Sequence, residues 1–229
     1  PTLICGVFFY YMSEHLQFLK SFHKAVQAAN RDIEEIELIA VSKKKPPDLI
    51  REVINSGYKS FGENQLQEVE NKWVKLSQEF TQTRLHFVGA IQSKKIEKIF
   101  KLCDVIHSID REKIVKKIKT CEDLFNIKKE YFIQINTGNE PQKSGVAMDQ
   151  SEGFIDKCIN NYNLEIKGLM CIPPQNDDPE EHFLKLKELG KNFNLPFLSM
   201  GMSEDFEIAL RCGATHIRVG TKIFGARSQ

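Results

Sequence analysis

Eight short apolar runs alternate with amphipathic helical stretches along this chain, and that alternation restricts its fold more than any other feature. The runs cover residues 38–42, 59–61, 85–89, 105–108, 131–136, 166–172, 196–200 and 216–219. Several are apolar on both faces, the pattern of parallel strands covered on each side. Between the runs, Leu66, Val69, Trp73 and Leu76 recur at helical spacing. So do Ile96, Ile99 and Phe100, and again Phe154, Ile155, Cys158 and Ile159. Leu16, Leu19, Phe22 and Val26 predict one more helix ahead of the first strand. Pro46 and Pro47 can open the helix after that strand, because proline suits a first turn. Gly57 and Gly213 stand where C-caps would end two others.

Eight βα units in 229 residues match a (β/α)8 barrel. A doubly wound open sheet is the alternative, but it usually carries a glycine-rich first turn. Here that turn reads Ser42-Lys43-Lys44-Lys45-Pro46-Pro47. The expectation is therefore an α/β protein, a single-domain (β/α)8 TIM barrel over residues 12–229 with an extra N-terminal helix. Residues 1–11 are apolar but too short to span a bilayer. No basic segment precedes them and no small-residue cleavage site follows, so they read as a stray N-terminal extension. With no other targeting signal, the expected compartment is the cytoplasm.

The 32 basic and 31 acidic side chains nearly cancel, which leaves no overall field to favour nucleic acid or an anionic membrane. The six cysteines form no C-x-x-C pair and read as reduced thiols. The six histidines show no H-E-x-x-H or other close ligand spacing, which argues against a metal. His86, His107 and His216 lie in or near strands and read as packed, hydrogen-bonded residues. No Walker loop, G-x-G-x-x-G or G-x-S-x-G is present.

In a barrel, functional groups gather at the C-terminal ends of the strands, and phosphate is often held after strands seven and eight. The first strand runs straight into Lys43, whose amine could attack an aldehyde and form a Schiff base. As the first of three lysines it could equally begin a solvated edge. The second strand ends in Gly62-Glu63-Asn64. Gly201-Met202-Ser203 and Gly220-Thr221, after the last two strands, form a candidate phosphate cup, since glycine admits an anion to the backbone and N–H groups and hydroxyls donate to it. The alternative makes Ser203 a helix cap and Gly220 a turn residue. Glu204 and Asp205 would compete with an anion there. Arg218, between Ile217 and Val219, is either ligand-facing or ion-paired with a rim carboxylate.

Several blocks resemble, in order, the pyridoxal phosphate homeostasis protein family. They are Ile39-Ala40-Val41-Ser42-Lys43, Phe61-Gly62-Glu63-Asn64, His86-Phe87-Val88-Gly89 with Gln92-Ser93-Lys94, Gln134-Ile135-Asn136, Lys143-Ser144-Gly145, Gly168-Leu169-Met170, Ser199-Met200-Gly201-Met202-Ser203, and Arg218-Val219-Gly220-Thr221 with Phe224-Gly225-Ala226-Arg227. The resemblance covers about residues 12–227. Lys44 stands where the family more often has threonine, and Ala90 where it often has proline. That family is similar to the N-terminal barrel of alanine racemase. The resemblance implies pyridoxal 5′-phosphate bound as a Schiff base on Lys43. It implies phosphate on Met202, Ser203, Gly220 and Thr221, Arg218 facing the pyridine nitrogen, and Asn64 walling the site.

Arginine's fixed charge discourages protonation of that nitrogen and weakens the cofactor as an electron sink. Racemisation also needs a second acid/base on the opposite face of the substrate carbon, which in alanine racemase comes from a second domain of the partner subunit. This chain ends at Gln229, directly after the barrel, so that domain is expected to be missing. The expected function is to hold the cofactor as part of intracellular pyridoxal phosphate (vitamin B6) homeostasis, without catalysis of its own. The expected partners are the cofactor and apo-enzymes that use it, with the protein a monomer. The alternative is a racemase-like enzyme using the same lysine, with Tyr131, Cys171 or Lys143 as nominal second base.

Overall fold

The computed structural model of the protein describes residues 2–225, with side chains from His15 onward. The first eleven residues therefore carry no described side chain, and Ala226-Arg227 of the last matched block lies outside the described residues. Helix α1 (Thr2–Ala28) leads into β1 (Glu37–Val41). There follow α2 (Pro47–Asn55), β2 (Ser60–Glu63), α3 (Leu66–Glu68), α4 (Val74–Glu79), β3 (Arg84–Phe87), α5 (Ile96–Leu102), β4 (Val105–Ile109), α6 (Glu112–Phe125) and β5 (Glu130–Asn136). The remainder is β6 (Val146–Ala147), α7 (Met148–Asp156), β7 (Ile166–Cys171), α8 (Pro179–Asn192), β8 (Phe197–Ser199), α9 (Phe206–Arg211), β9 (His216–Val219) and α10 (Thr221–Phe224).

Every strand pairing is parallel, and the sheet closes on itself through β4–β5 and β1–β9. The expected eight-stranded barrel is what forms. β6 is an addition that the alternation did not announce: two residues laid beside Ile135 and Asn136 of β5. Strand ends differ from the sequence reading by one or two residues, because cross-strand pairing sets them and local apolarity does not. β2, for example, runs on through Glu63, which pairs with Phe87. Pro47 does open α2, and Gly57 and Gly213 take the left-handed conformation with φ of 105° and 98°.

The face of α1 is shifted from the one read in the sequence. Phe18, Phe22, Ala25 and Val26 are buried, whereas Leu16 is 51% exposed. The rings of Phe18 and Phe22 lie 5.6 and 5.9 Å from that of Phe206 in α9, and this contact selects the buried face. Trp73, Leu76, Ile99 and Phe100 are buried as their spacing predicts.

Each strand alternates its side chains between the helix layer and the barrel interior. The helix-facing set, with Ala40, Phe61, Leu85, Ile133, Leu169 and Ile217 among it, joins one continuous apolar core. Inside the barrel, Val105, Phe132 and Met170 form a small separate apolar cluster. Barrel interiors are usually filled by branched aliphatics. This one departs from that pattern, and from the expectation of strands apolar on both faces, because Glu37, His86, His107, Ser199, His216 and Arg218 share it.

Candidate functional site

Strand alternation sends Glu37, Ile39 and Val41 inward and Leu38, Ala40 and Ser42 toward the helices. Lys43 comes next at the inward parity, half-buried at the C-terminal mouth. The three lysines do not share one solvated edge. Lys44 is exposed and left-handed at φ 59°, and Lys45 Nζ donates to the carbonyls of Phe224 and Gly225 at 3.1 and 2.9 Å.

A brace outside the barrel fixes the backbone on both sides of Lys43. Ser42 Oγ donates to Glu63 Oε1 at 2.6 Å, and Lys72 Nζ donates to the Ser42 carbonyl at 2.8 Å. Lys72 also pairs with Glu68, whose Oε2 accepts from the Lys44 N–H. A π-helical turn at Val69–Trp73 presents Lys72 and Trp73 to Glu63, a local irregularity common near functional sites. Burial raises the Glu63 carboxyl above its usual range, against the pull of Lys72, Ser42 and Trp73. Burial opposes ionisation of Glu68 too, but Lys72 and the Lys44 N–H outweigh it and hold that carboxyl low.

Asn64 follows β2 at the same mouth. Its Oδ1 is buried without a hydrogen-bond partner among the described residues, an arrangement that asks for a donor. A Cβ on Gly89 would stand 2.0 Å from the Asn64 carbonyl oxygen, so only glycine permits this approach of the β3 loop.

The two halves of the predicted cup meet in space. Ser203 Oγ and Thr221 Oγ1 are 3.4 Å apart, although eighteen residues separate them in sequence. A Cβ on Gly220 would lie 3.2 Å from the Val41 carbonyl oxygen, which places the cup beside the end of the lysine-bearing strand. Ser203 is not the helix cap: Asp205 precedes α9, and its Oδ1 accepts from the Met202 N–H at 2.5 Å. The competition for that donor expected of Asp205 is therefore present, while Gly220 does stand at the cap of α10.

Arg218 is buried and forms no rim ion pair; no carboxylate lies within salt-bridge distance of it among the described residues. Nη1 donates to Ser199 Oγ at 2.6 Å and Nη2 to the Cys171 carbonyl at 2.9 Å. Burial pulls its pKa down from the ordinary arginine value, with Cys171 and Asp205 opposing. The nominal second bases fare poorly. Tyr131 faces the helices, where its hydroxyl donates to Glu122 at 3.0 Å. Burial pushes the Cys171 thiol up to about 12. Lys143 Nζ pairs with Glu140 at 2.6 Å and donates to the Pro173 carbonyl.

Sequence reasoning did not single out Ser199 or the Glu63–Lys72–Glu68 brace. A serine inside an apolar strand and a lysine inside an amphipathic helix were the only signals there to find. No cluster of metal-ligating side chains occurs among the described residues. Two cavities of about 510 and 450 Å³ open at the opposite, N-terminal end of the barrel and share no residue with this mouth.

Residues 19–228 match the alanine racemase N-terminal domain family. A pyridoxal phosphate homeostasis protein of Aquifex aeolicus is 36% identical over 218 residues, covering 91% of this chain and 95% of the relative. One from Pseudomonas aeruginosa is 38% identical over 209 residues, covering 89% and 90%. The chain belongs to the pyridoxal phosphate homeostasis protein family. Among solved structures, PipY of Synechococcus elongatus with pyridoxal phosphate bound superposes at a TM-score of 0.79 and 29% identity, over 93% of this chain and 99% of that one.

The mouth fits such a cofactor. It offers an amine, a pair of hydroxyls beside two glycines, an orphaned amide oxygen, and a buried guanidinium with no carboxylate to neutralise it.

Proposed function

We propose that this chain holds pyridoxal 5′-phosphate as a Schiff base on Lys43 and serves in intracellular pyridoxal phosphate homeostasis without catalysis of its own. Lys43 would hold pyridoxal phosphate through its amine, to which the cofactor would offer an aldehyde, with water as the by-product. Ser203 and Thr221 would donate their hydroxyl protons to its phosphate, with Met202 and the N–H groups of Gly220-Thr221 around them; the Met202 N–H would first have to leave Asp205 Oδ1. Asn64 walls the pocket, and Arg218 faces the ring nitrogen.

The observation that carries the reading is Arg218. It is buried at the mouth with only neutral acceptors, Ser199 and the Cys171 carbonyl, so its charge is left for a ligand. A guanidinium cannot hand over its proton at physiological pH, so it favours an unprotonated ring nitrogen and a weak electron sink. That suits holding and releasing the cofactor better than withdrawing electrons from a substrate. The protein would act as a monomer in the cytoplasm and pass cofactor to apo-enzymes.

The test is the visible absorption of the cofactor-loaded protein beside Lys43→Ala. A Schiff-base band lost in the variant is expected, with borohydride reduction adding the cofactor mass to the Lys43 peptide. A band that persists in Lys43→Ala overturns the reading. Incubation with D- and L-amino acids in deuterated water should give no α-proton exchange above free cofactor; exchange would establish the racemase-like alternative.

A further inference from the structure

A line of polar side chains runs through the barrel interior from Arg218 to the opposite mouth. Arg218 Nη1 donates to Ser199 Oγ at 2.6 Å, and that oxygen lies 2.9 Å from His107 Nδ1. His107 Nε2 lies 2.9 Å from His86 Nδ1. His86 Nε2 lies 3.1 Å from Glu37 Oε1, an electrostatic contact whose angle makes no hydrogen bond. The five residues come from five strands, β9, β8, β4, β3 and β1. Ser199, His107 and His86 are fully buried, whereas Glu37 lines the cavity at the N-terminal mouth.

The two ends fix the direction of every link between them. A guanidinium has only donors, and an ionised carboxylate has only acceptors. Burial opposes ionisation of Glu37, but contacts from His216 and His86 prevail and hold its carboxyl well below the usual range. The carboxylate 3.1 Å away favours an Nε2–H on His86, which leaves its Nδ1 to accept from His107 Nε2–H. His107 Nδ1 then accepts the Ser199 hydroxyl proton, and the Ser199 lone pairs turn to Arg218. Burial lowers both histidine pKa values, in keeping with neutral rings. Phe132 stacks on His107 at 4.3 Å and 3°, which fixes that ring's plane.

We infer that His86, His107 and Ser199 form a one-way hydrogen-bond relay, oriented by the Glu37 carboxylate, whose role is to position Arg218 for the cofactor ring. The inference rests on the proposed placement of pyridoxal phosphate against Arg218. A carboxylate in direct contact with Arg218 would neutralise it. Here the carboxylate sits at β1, level with His216 and one inward-facing position below Arg218, where it pairs with Arg84 at 3.4 Å and accepts from Ser60. The guanidinium is held by a neutral, polarised acceptor and keeps its charge for the ring nitrogen.

Imidazole 15N NMR of the full chain, with and without pyridoxal phosphate, reads the tautomers directly. His86 and His107 should both be neutral Nε2–H forms at neutral pH. Glu37→Gln supplies an amide that can donate, so Nδ1–H forms should appear at both rings. Ser199→Ala should weaken cofactor binding about tenfold or more and shift the Schiff-base band and its pH titration, with Ser199→Thr restoring them. An Nδ1–H or doubly protonated ring in the wild type overturns the relay. So does a wild-type band and affinity in folded Ser199→Ala together with unchanged tautomers in Glu37→Gln, and that result leaves the Lys43 site standing. A wild type without a Lys43-dependent band would overturn the cofactor reading, and the positioning role with it.

Discussion

Lys72 Nζ lies 2.5 Å from Glu63 Oε1 in the wall directly behind Lys43, with Lys72 8% and Glu63 0% exposed. One carboxylate oxygen thus receives Lys72, the Ser42 hydroxyl and the Trp73 indole, while Oε2 has no partner among the described residues. The pair therefore does more to hold the strand end that carries Lys43 than to stabilise the fold at large. Lys72→Met strands the buried carboxyl and should cost about 3–5 kcal/mol in urea unfolding. Lys72→Met combined with Glu63→Gln should recover part of that loss. A wild-type unfolding midpoint for Lys72→Met would show that the pair is not coupled to the fold.

Stability should depend on pH through the interior histidines. His86 and His107 have folded pKa values below their ordinary ones, chiefly because burial disfavours the charged ring. For such groups the stabilisation is present above the unfolded pKa, near 6.5, and is lost as pH falls toward the folded value. Each can contribute a slope of up to about 1.4 kcal/mol per pH unit below that point. Glu37, also depressed, adds a loss below about 4.5. Denaturant unfolding at pH 7.5, 6.5 and 5.5 checks the sign; stability that rises between pH 6.5 and 5.5 would contradict it.

Two glycines should respond to alanine in opposite ways. Gly89→Ala places a methyl 2.0 Å from the Asn64 carbonyl oxygen, so the β2 end must move. Thermal stability and pyridoxal phosphate affinity should fall together. At Gly153 in α7 an added methyl would meet nothing within 4 Å, so Gly153→Ala should stabilise the chain by about 0.5–1 kcal/mol through helix propensity. Cofactor affinity should not change in that variant.

The hydroxyl pair of the cup should discriminate by phosphate. Ser203→Ala and Thr221→Val each remove a hydroxyl donor facing an anion, a contact worth about 1.5–3 kcal/mol. Affinity for pyridoxal phosphate should drop about tenfold to a hundredfold per substitution, while reaction with unphosphorylated pyridoxal stays near wild type. Equal losses for both aldehydes would place the phosphate elsewhere.

Much of the candidate site was legible as a set of rim positions because a barrel converts strand ends into a rim. Lys43, Asn64, Ser203, Arg218 and Thr221 each follow or close an apolar run, and polar residues in those places stand out against their neighbours. The face of α1 was misread because Leu16 and Phe18 fit helical spacing equally well, and only the Phe206 ring on α9 chooses between them. The brace behind Lys43 was not legible, since a lysine in an amphipathic helix ordinarily points to solvent and here a π turn redirects it.

Apolar periodicity, a local property, determined by itself the eight strands that close the barrel, their parallel pairing and the end of the barrel where chemistry gathers. Burial of His86 and His107 could be read the same way, but their partners could not. His107 meets Ser199 across 92 residues of sequence, and Arg218 reaches Ser199 on one neighbouring strand and the Cys171 carbonyl on the next. Such contacts exist only once β4 pairs with β5 and β9 with β1, because closing the sheet turns these polar side chains inward together. Buried polar groups need partners, and most of these find theirs among one another. Tertiary closure decided which atom each would find.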